Sequence, residues 1–154
     1  MKEVRMIDGV IVKPLQKIPS ESGCLYSMID SNNAEFKGFG EIYFSLAYPG
    51  VVKGWHLHKE MILNYAVIIG MIKLVLYDDR DLSKTKGEVM EILLGETNYS
   101  LVQVPALVWN GFQGMGSPHS IVANCSTIPH RENEMMRTSP YSKEIPYNWN
   151  LSNG

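Results

Sequence analysis

With 154 residues, a formal net charge of −2 and 45% apolar residues, the chain is long enough for one well-buried core and short for two ordinary domains. It reads as a single domain over residues 1–154. Lys and Arg are scattered without a basic run, which argues against a nucleic-acid partner, and no apolar run approaches membrane-spanning length. Cys24 and Cys125 lack CxxC spacing, so they read as reduced thiols of a cytoplasmic chain with no membrane partner.

In chain order, short runs rich in Val, Ile, Leu and Tyr, separated by Gly, Pro, Asn, Asp and Ser clusters, predict strands over 6–12, 24–28, 40–46, 51–58, 64–69, 72–77, 89–94, 101–104, 109–113 and 120–123. Gly70 marks a tight turn between two of them, and the polar stretch 78–87 a longer connection. A helical turn is expected over 132–137, followed by an aromatic tail with Tyr141, Tyr147 and Trp149 that packs back on the strands. Many short strands without a sustained helical period predict an all-β sandwich or small barrel.

The segment from Gly50 to Glu60 carries the chemistry. His56, His58 and Glu60 occupy alternate positions and would point to one face of a strand. Gathering ionisable groups on one face is costly unless they bind or react. As metal ligands, two imidazoles form an incomplete set, which His119 or His130 would have to complete in space. As a proton-transfer site, one imidazole suffices, because its ordinary pKa lies near working pH. Gly54 inside the strand predicts a bulge, which would bring Lys53 to the same side as His56. Tyr65, Tyr77, Tyr99, Trp55 and Trp109 are aromatics that either fill the core or stack on a ligand.

These residues carry a resemblance. The run Val52-Lys53-Gly54-Trp55-His56 resembles the Leu-Arg-Gly-Leu-His segment of the dTDP-4-dehydrorhamnose 3,5-epimerases, the RmlC-like cupins. Val104 to Phe112 parallels that family's Ile-Pro-x-Gly-x-x-His-Gly-Phe, and Ile145 to Trp149 its Ile-Gly-Ile-x-Trp. The resemblance implies a jelly-roll β-barrel with a short C-terminal tail on it, a homodimer, no cofactor and no metal. It also implies an isomerase that epimerises a nucleoside-diphosphate 4-keto-sugar, dTDP-linked, at C3, C5 or both, in polysaccharide or deoxysugar biosynthesis.

By the same carry-over His56 is the base that takes a proton beside the ketone, with His58 as its helper. Lys53 stands where an arginine meets the diphosphate, and Asn110 at a site-lining histidine position. Trp55, Asn64, Trp109 and Tyr141 complete the implied substrate contacts. Four family positions are unmatched, one of them a lysine expected after the His strand, where Asn64 lies nearby. The tyrosine falls at Pro129 beside His130, which becomes the implied acid. The aspartate that orients the base falls at Ser142 near Glu144, and a further arginine is replaced by Ser22. A replacement for the missing groups is therefore sought across the barrel or between His130 and Glu144. The string His56-Leu57-His58-Lys59 is also similar to the Gly-x-His-Ala-His-Lys segment of nucleotide-sugar 3,4-ketoisomerases. That leaves ketoisomerisation, and a sugar-nucleotide-binding module without chemistry, as the alternative functions.

Overall fold

The computed structural model of the chain describes residues 5–151. Twelve strands follow in order: β1 (Ile11–Pro14), β2 (Lys17–Ser20), β3 (Gly23–Tyr26), β4 (Glu41–Ala47), β5 (Val52–His58), β6 (Leu63–Ile69), β7 (Met71–Tyr77), β8 (Val89–Gly95), β9 (Ser100–Val104), β10 (Trp109–Gly114), β11 (Ser120–Ser126) and β12 (Met135–Arg137). They form two five-stranded sheets, ordered β1-β9-β6-β11-β4 and β12-β5-β10-β7-β8, while β2 and β3 make a separate hairpin. The described residues contain no helix, and the two large sheets pack as a sandwich.

Period-two patterning produces this arrangement. Ile72, Leu74 and Leu76 of β7 face Leu63, Tyr65 and Val67 of β6 in the core between the sheets. Intervening Val75 and Tyr77 point outward, where they are covered by Ile145 and Trp149 of the tail. From Leu74 to Tyr77, β7 is thus apolar on both faces because both are buried. Gly70 has φ 78°, and a Cβ there would lie 2.7 Å from the His119 carbonyl oxygen, so the β6–β7 turn requires glycine.

Three expectations differ from the observed elements. The first strand begins at Ile11, because Asp8 and Gly9 form a turn first. Lys17–Ser20, with Pro19, pairs with Gly23–Tyr26 as a hairpin that apolar patterning did not signal. The helical turn expected over 132–137 is instead a strand: Met135, Met136 and Arg137 pair with His58, Leu57 and His56. The free edge of β5 supplies backbone partners along one whole side, which a single helical turn cannot match. Asn133, at φ 63°, turns the chain into that register.

The bulge expected at Gly54 is present. Asn110 pairs with His56 and Phe112 with Lys53, so Gly54 and Trp55 together oppose the single residue Gly111. The peptide bond between Gly54 and Trp55 is cis. A Cβ at Gly54 would sit 2.9 Å from the Gly111 Cα, so the strands approach too closely there for any side chain. The extra residue shifts the alternation, and Lys53 and His56 both reach the inner cavity.

Candidate active site

The cavity, about 330 Å³, opens between the two sheets. Lys53, His56 and His58 enter from β5 and Met135 and Arg137 from β12; Glu41, Tyr43 and Ser45 enter from β4 and Tyr65 from β6 in the facing sheet. His130 contributes to the rim from the connection before β12, where it is exposed and its backbone N–H donates to Glu41 Oε2 at 3.1 Å. Imidazoles on one wall therefore face a phenol on the other across a space suited to a small ring.

The two histidines occupy different environments. His56 makes no side-chain hydrogen bond among the described residues. Burial, then the Arg137 cation and His58, pull its pKa down to about 4, so it is neutral at physiological pH. His58 is 7% exposed, and its Nδ1 lies 2.7 Å from Glu134 Oε2. Glu134 is equally buried, and its Oε1 accepts the backbone N–H groups of Glu60 and Met61 at 3.1 and 3.0 Å. Burial alone would raise the Glu134 pKa. The hydrogen bonds from His58, Met61 and Glu60 outweigh that and hold it below the ordinary carboxylate value.

Across the cavity, Asn124 Nδ2 donates to Tyr43 Oη at 2.7 Å. That amide is fixed in turn, since Asn124 Oδ1 accepts the Asn64 N–H at 3.1 Å. Because the phenol oxygen accepts from Asn124, its own O–H is left to point elsewhere. Burial raises the Tyr43 pKa above its usual value, the nearby Glu41 charge adding to this, so the group remains protonated at neutral pH.

Of the residues singled out from sequence, Lys53, His56, His58, Tyr65 and His130 line this cavity together. Other implied contacts lie elsewhere. Trp55 is fully buried on the outer face, 5.0 Å from Trp149 and 6.0 Å from Tyr147 between ring centroids, because neighbouring strand residues point to opposite faces and His56 takes the inner one. Asn64 is fully buried and bonds the Cys125 carbonyl and Gln103. Asn110 sits behind the cavity wall, accepting from Tyr65 Oη at 2.9 Å and donating to the His56 carbonyl at 3.0 Å. Trp109 borders a separate outer hollow with Leu57, Leu107 and Met136. Tyr141 is 79% exposed and outside the cavity lining. Glu60 pairs at the surface with Arg131. Glu144 is exposed and makes no side-chain bond to either histidine.

Glu134, Tyr43 and Arg137 were not identified by sequence reasoning as site residues. Glu134 lies inside the interval where a carboxylate was sought, but a helical turn there would not have paired its strand with β5. Among the described residues no three His, Cys, Asp or Glu side chains converge as a metal-ligand set. The carboxylate nearest the histidine pair is already committed to His58.

No family model matches the chain. It is 34% identical over 143 residues to a probable low-salt glycan biosynthesis epimerase of Haloferax volcanii, covering 92% of this chain and 88% of that protein. It is 32% identical over 152 residues to a spore coat polysaccharide biosynthesis protein of Bacillus subtilis, covering 94% and 97%. A dTDP sugar isomerase from Desulfovibrio desulfuricans superposes with a TM-score of 0.91 at 40% identity over 93% of this chain and 92% of that one. A dTDP-4-dehydrorhamnose 3,5-epimerase of Bacillus anthracis shares the fold, with a TM-score of 0.84 at 19% identity over 98% and 91%.

Proposed function

The chain belongs to the RmlC-like cupin family of sugar epimerases and isomerases, and from that premise we propose that it moves a proton beside the keto group of a nucleoside-diphosphate 4-keto-sugar. The observation that carries this reading is the pair of imidazoles facing a protonated phenol across one cavity. An imidazole takes the proton alpha to the ketone: the C–H bond breaks and its electron pair moves to the carbonyl oxygen as an enolate. Tyr43, on the opposite wall, donates its phenolic proton to the other face of that carbon, and the configuration inverts. Lys53 and Arg137 supply the positive charge that a diphosphate requires.

A specific observation also supports 3,4-ketoisomerisation. His56 and His58 lie on the same wall, two residues apart, and can relay a proton between adjacent sugar carbons on one face. Product analysis separates the two: an epimer retains the 4-keto group, whereas the ketoisomerase moves it to C3.

We place the protein in the cytoplasm as a homodimer acting on a dTDP-linked sugar. Self-association is supported by Ile42, Phe44 and Leu46, which β4, an edge strand, presents to solvent. Light scattering on the purified chain tests it, and a monomer at micromolar concentration removes it. The central experiment incubates the protein with a dTDP-4-keto-6-deoxy sugar in deuterated water. Deuterium entering at C3 or C5 faster than in buffer is expected. Tight binding without exchange would instead make the chain a binding module.

A further inference from the structure

The two imidazoles on the cavity wall differ in what stands behind them. His58 donates its Nδ1–H to a buried carboxylate, whereas the His56 ring has no hydrogen-bond partner among the described residues and lies near the Arg137 cation. Resting on the isomerase reading above, we infer that Glu134 is a positioning residue that makes His58, two residues beyond the position implied by the resemblance, the proton acceptor of the reaction.

Glu134 sits in a preformed cradle. Glu134 Oε1 is held by the N–H groups of Glu60 and Met61, and the Glu134 carbonyl accepts the Lys59 N–H at 2.9 Å, so the turn after β5 wraps the residue that begins the approach to β12. With one oxygen fixed in this way, the other is aimed at His58 Nδ1 at 2.7 Å. A carboxylate acceptor selects the tautomer with the proton on Nδ1, which leaves the Nε2 lone pair as the basic site. Among the described residues Nε2 has no hydrogen-bond partner, and the ring lines the cavity.

When Nε2 takes the sugar proton, the C–H electron pair passes to the carbonyl oxygen and the ring becomes imidazolium. Its charge then lies beside a buried anion, where water screens the attraction weakly. On His56 the same proton would create a cation near Arg137 with no anion in contact. His56 is thereby suited to stay neutral, accepting or donating a hydrogen bond to the sugar while His58 changes charge.

The test compares Glu134→Gln, His58→Asn, His56→Asn and the double variant Glu134→Gln/His58→Asn. It follows deuterium exchange into a dTDP-4-keto-6-deoxy sugar and the pH profile of kcat/KM. Glu134→Gln keeps the shape of the side chain and removes the charge. It is expected to lower kcat roughly 100-fold with little change in KM, and to move the acidic limb of the profile to lower pH as the imidazolium loses its counter-charge. In the His58→Asn background the same change should have no further effect, which a purely structural role would not produce. Nitrogen NMR of the free protein should show the His58 Nδ1–H tautomer, lost in Glu134→Gln. Wild-type exchange that survives unchanged in Glu134→Gln, or additive losses in the double variant, overturns the inference and leaves the isomerase reading standing. Near-normal exchange in His58→Asn with none in His56→Asn returns the base to His56. A wild type that exchanges no faster than buffer overturns both.

Discussion

Two carboxylates among the described residues are buried and held by several hydrogen bonds, yet they perform different tasks. Asp78 is fully buried at the end of β7 and accepts from the Arg80 guanidinium, the Ser83 and Thr85 hydroxyls and the Arg80 backbone N–H. Burial would raise its pKa, but these donors hold it well below the usual carboxylate range. Every one of those partners belongs to the loop that Asp78 closes. Glu134 is held in the same manner on one oxygen, but its other partner is an imidazole with a free nitrogen and a cavity in front of it. A buried anion surrounded by fixed donors locks a loop. One with a titratable ring between it and a cavity transmits its charge to whatever occupies that cavity.

Removing Asp78 tests whether its anion locks the loop. Asp78→Ala removes the anion and leaves the partly buried Arg80 guanidinium without its partner, so a loss of about 3–5 kcal/mol is expected from chemical denaturation, with exchange chemistry in the surviving folded fraction intact. A loss below about 1 kcal/mol would mean that the loop is held by something else.

Tyr43→Phe tests the opposite wall. Inversion needs a donor there, so the rate of epimer formation should fall roughly 100-fold, equivalent to about 2.7 kcal/mol. Solvent exchange at the base-facing side should survive. If epimer forms at the wild-type rate, the donor is another group, and the exposed His130 at the rim becomes the next residue to substitute.

His56 offers a smaller, pH-dependent effect. Its pKa is about 4 in the folded chain, against an ordinary value of 6.5 for the unfolded one. Between those values the unfolded chain binds the additional proton. The stabilisation is therefore full above about pH 6.5 and declines as the pH falls toward 4. His56→Asn should flatten that part of a plot of stability against pH, and an unchanged slope would place the titration elsewhere. The smallest effect belongs to the Arg131–Glu60 pair, whose side chains are 52% and 67% exposed. Arg131→Ala should cost no more than about 0.5 kcal/mol, although Glu60 adjoins the Glu134 cradle. A larger loss would show that the surface pair braces the cradle.

Much of the fold was legible because it depends on local, periodic information. Alternating apolar residues placed most strands within one or two positions, and Gly70 and Gly54 marked the turn and the bulge because each sits where backbone leaves no room for a Cβ. β12 was not legible. The residues 132–137 have no strand pattern of their own, and they become a strand by completing the exposed edge of β5. The aromatic tail does pack back on the strands, but Tyr141 remains at the surface while Ile145, Tyr147 and Trp149 do the covering.

The amino-acid sequence by itself determined an all-β chain, a strand bearing two imidazoles beside a lysine, and membership of a family of sugar isomerases and epimerases. Each of these is encoded in contiguous residues or in motif spacing. Only the tertiary structure decided which histidine has a carboxylate, which aromatic faces the cavity and which cation stands beside His56. Glu134 lies 76 positions from His58, and Tyr43 and Asn124 are 81 apart. Such pairs are made by strand order and register, and separation along the chain carries no trace of them.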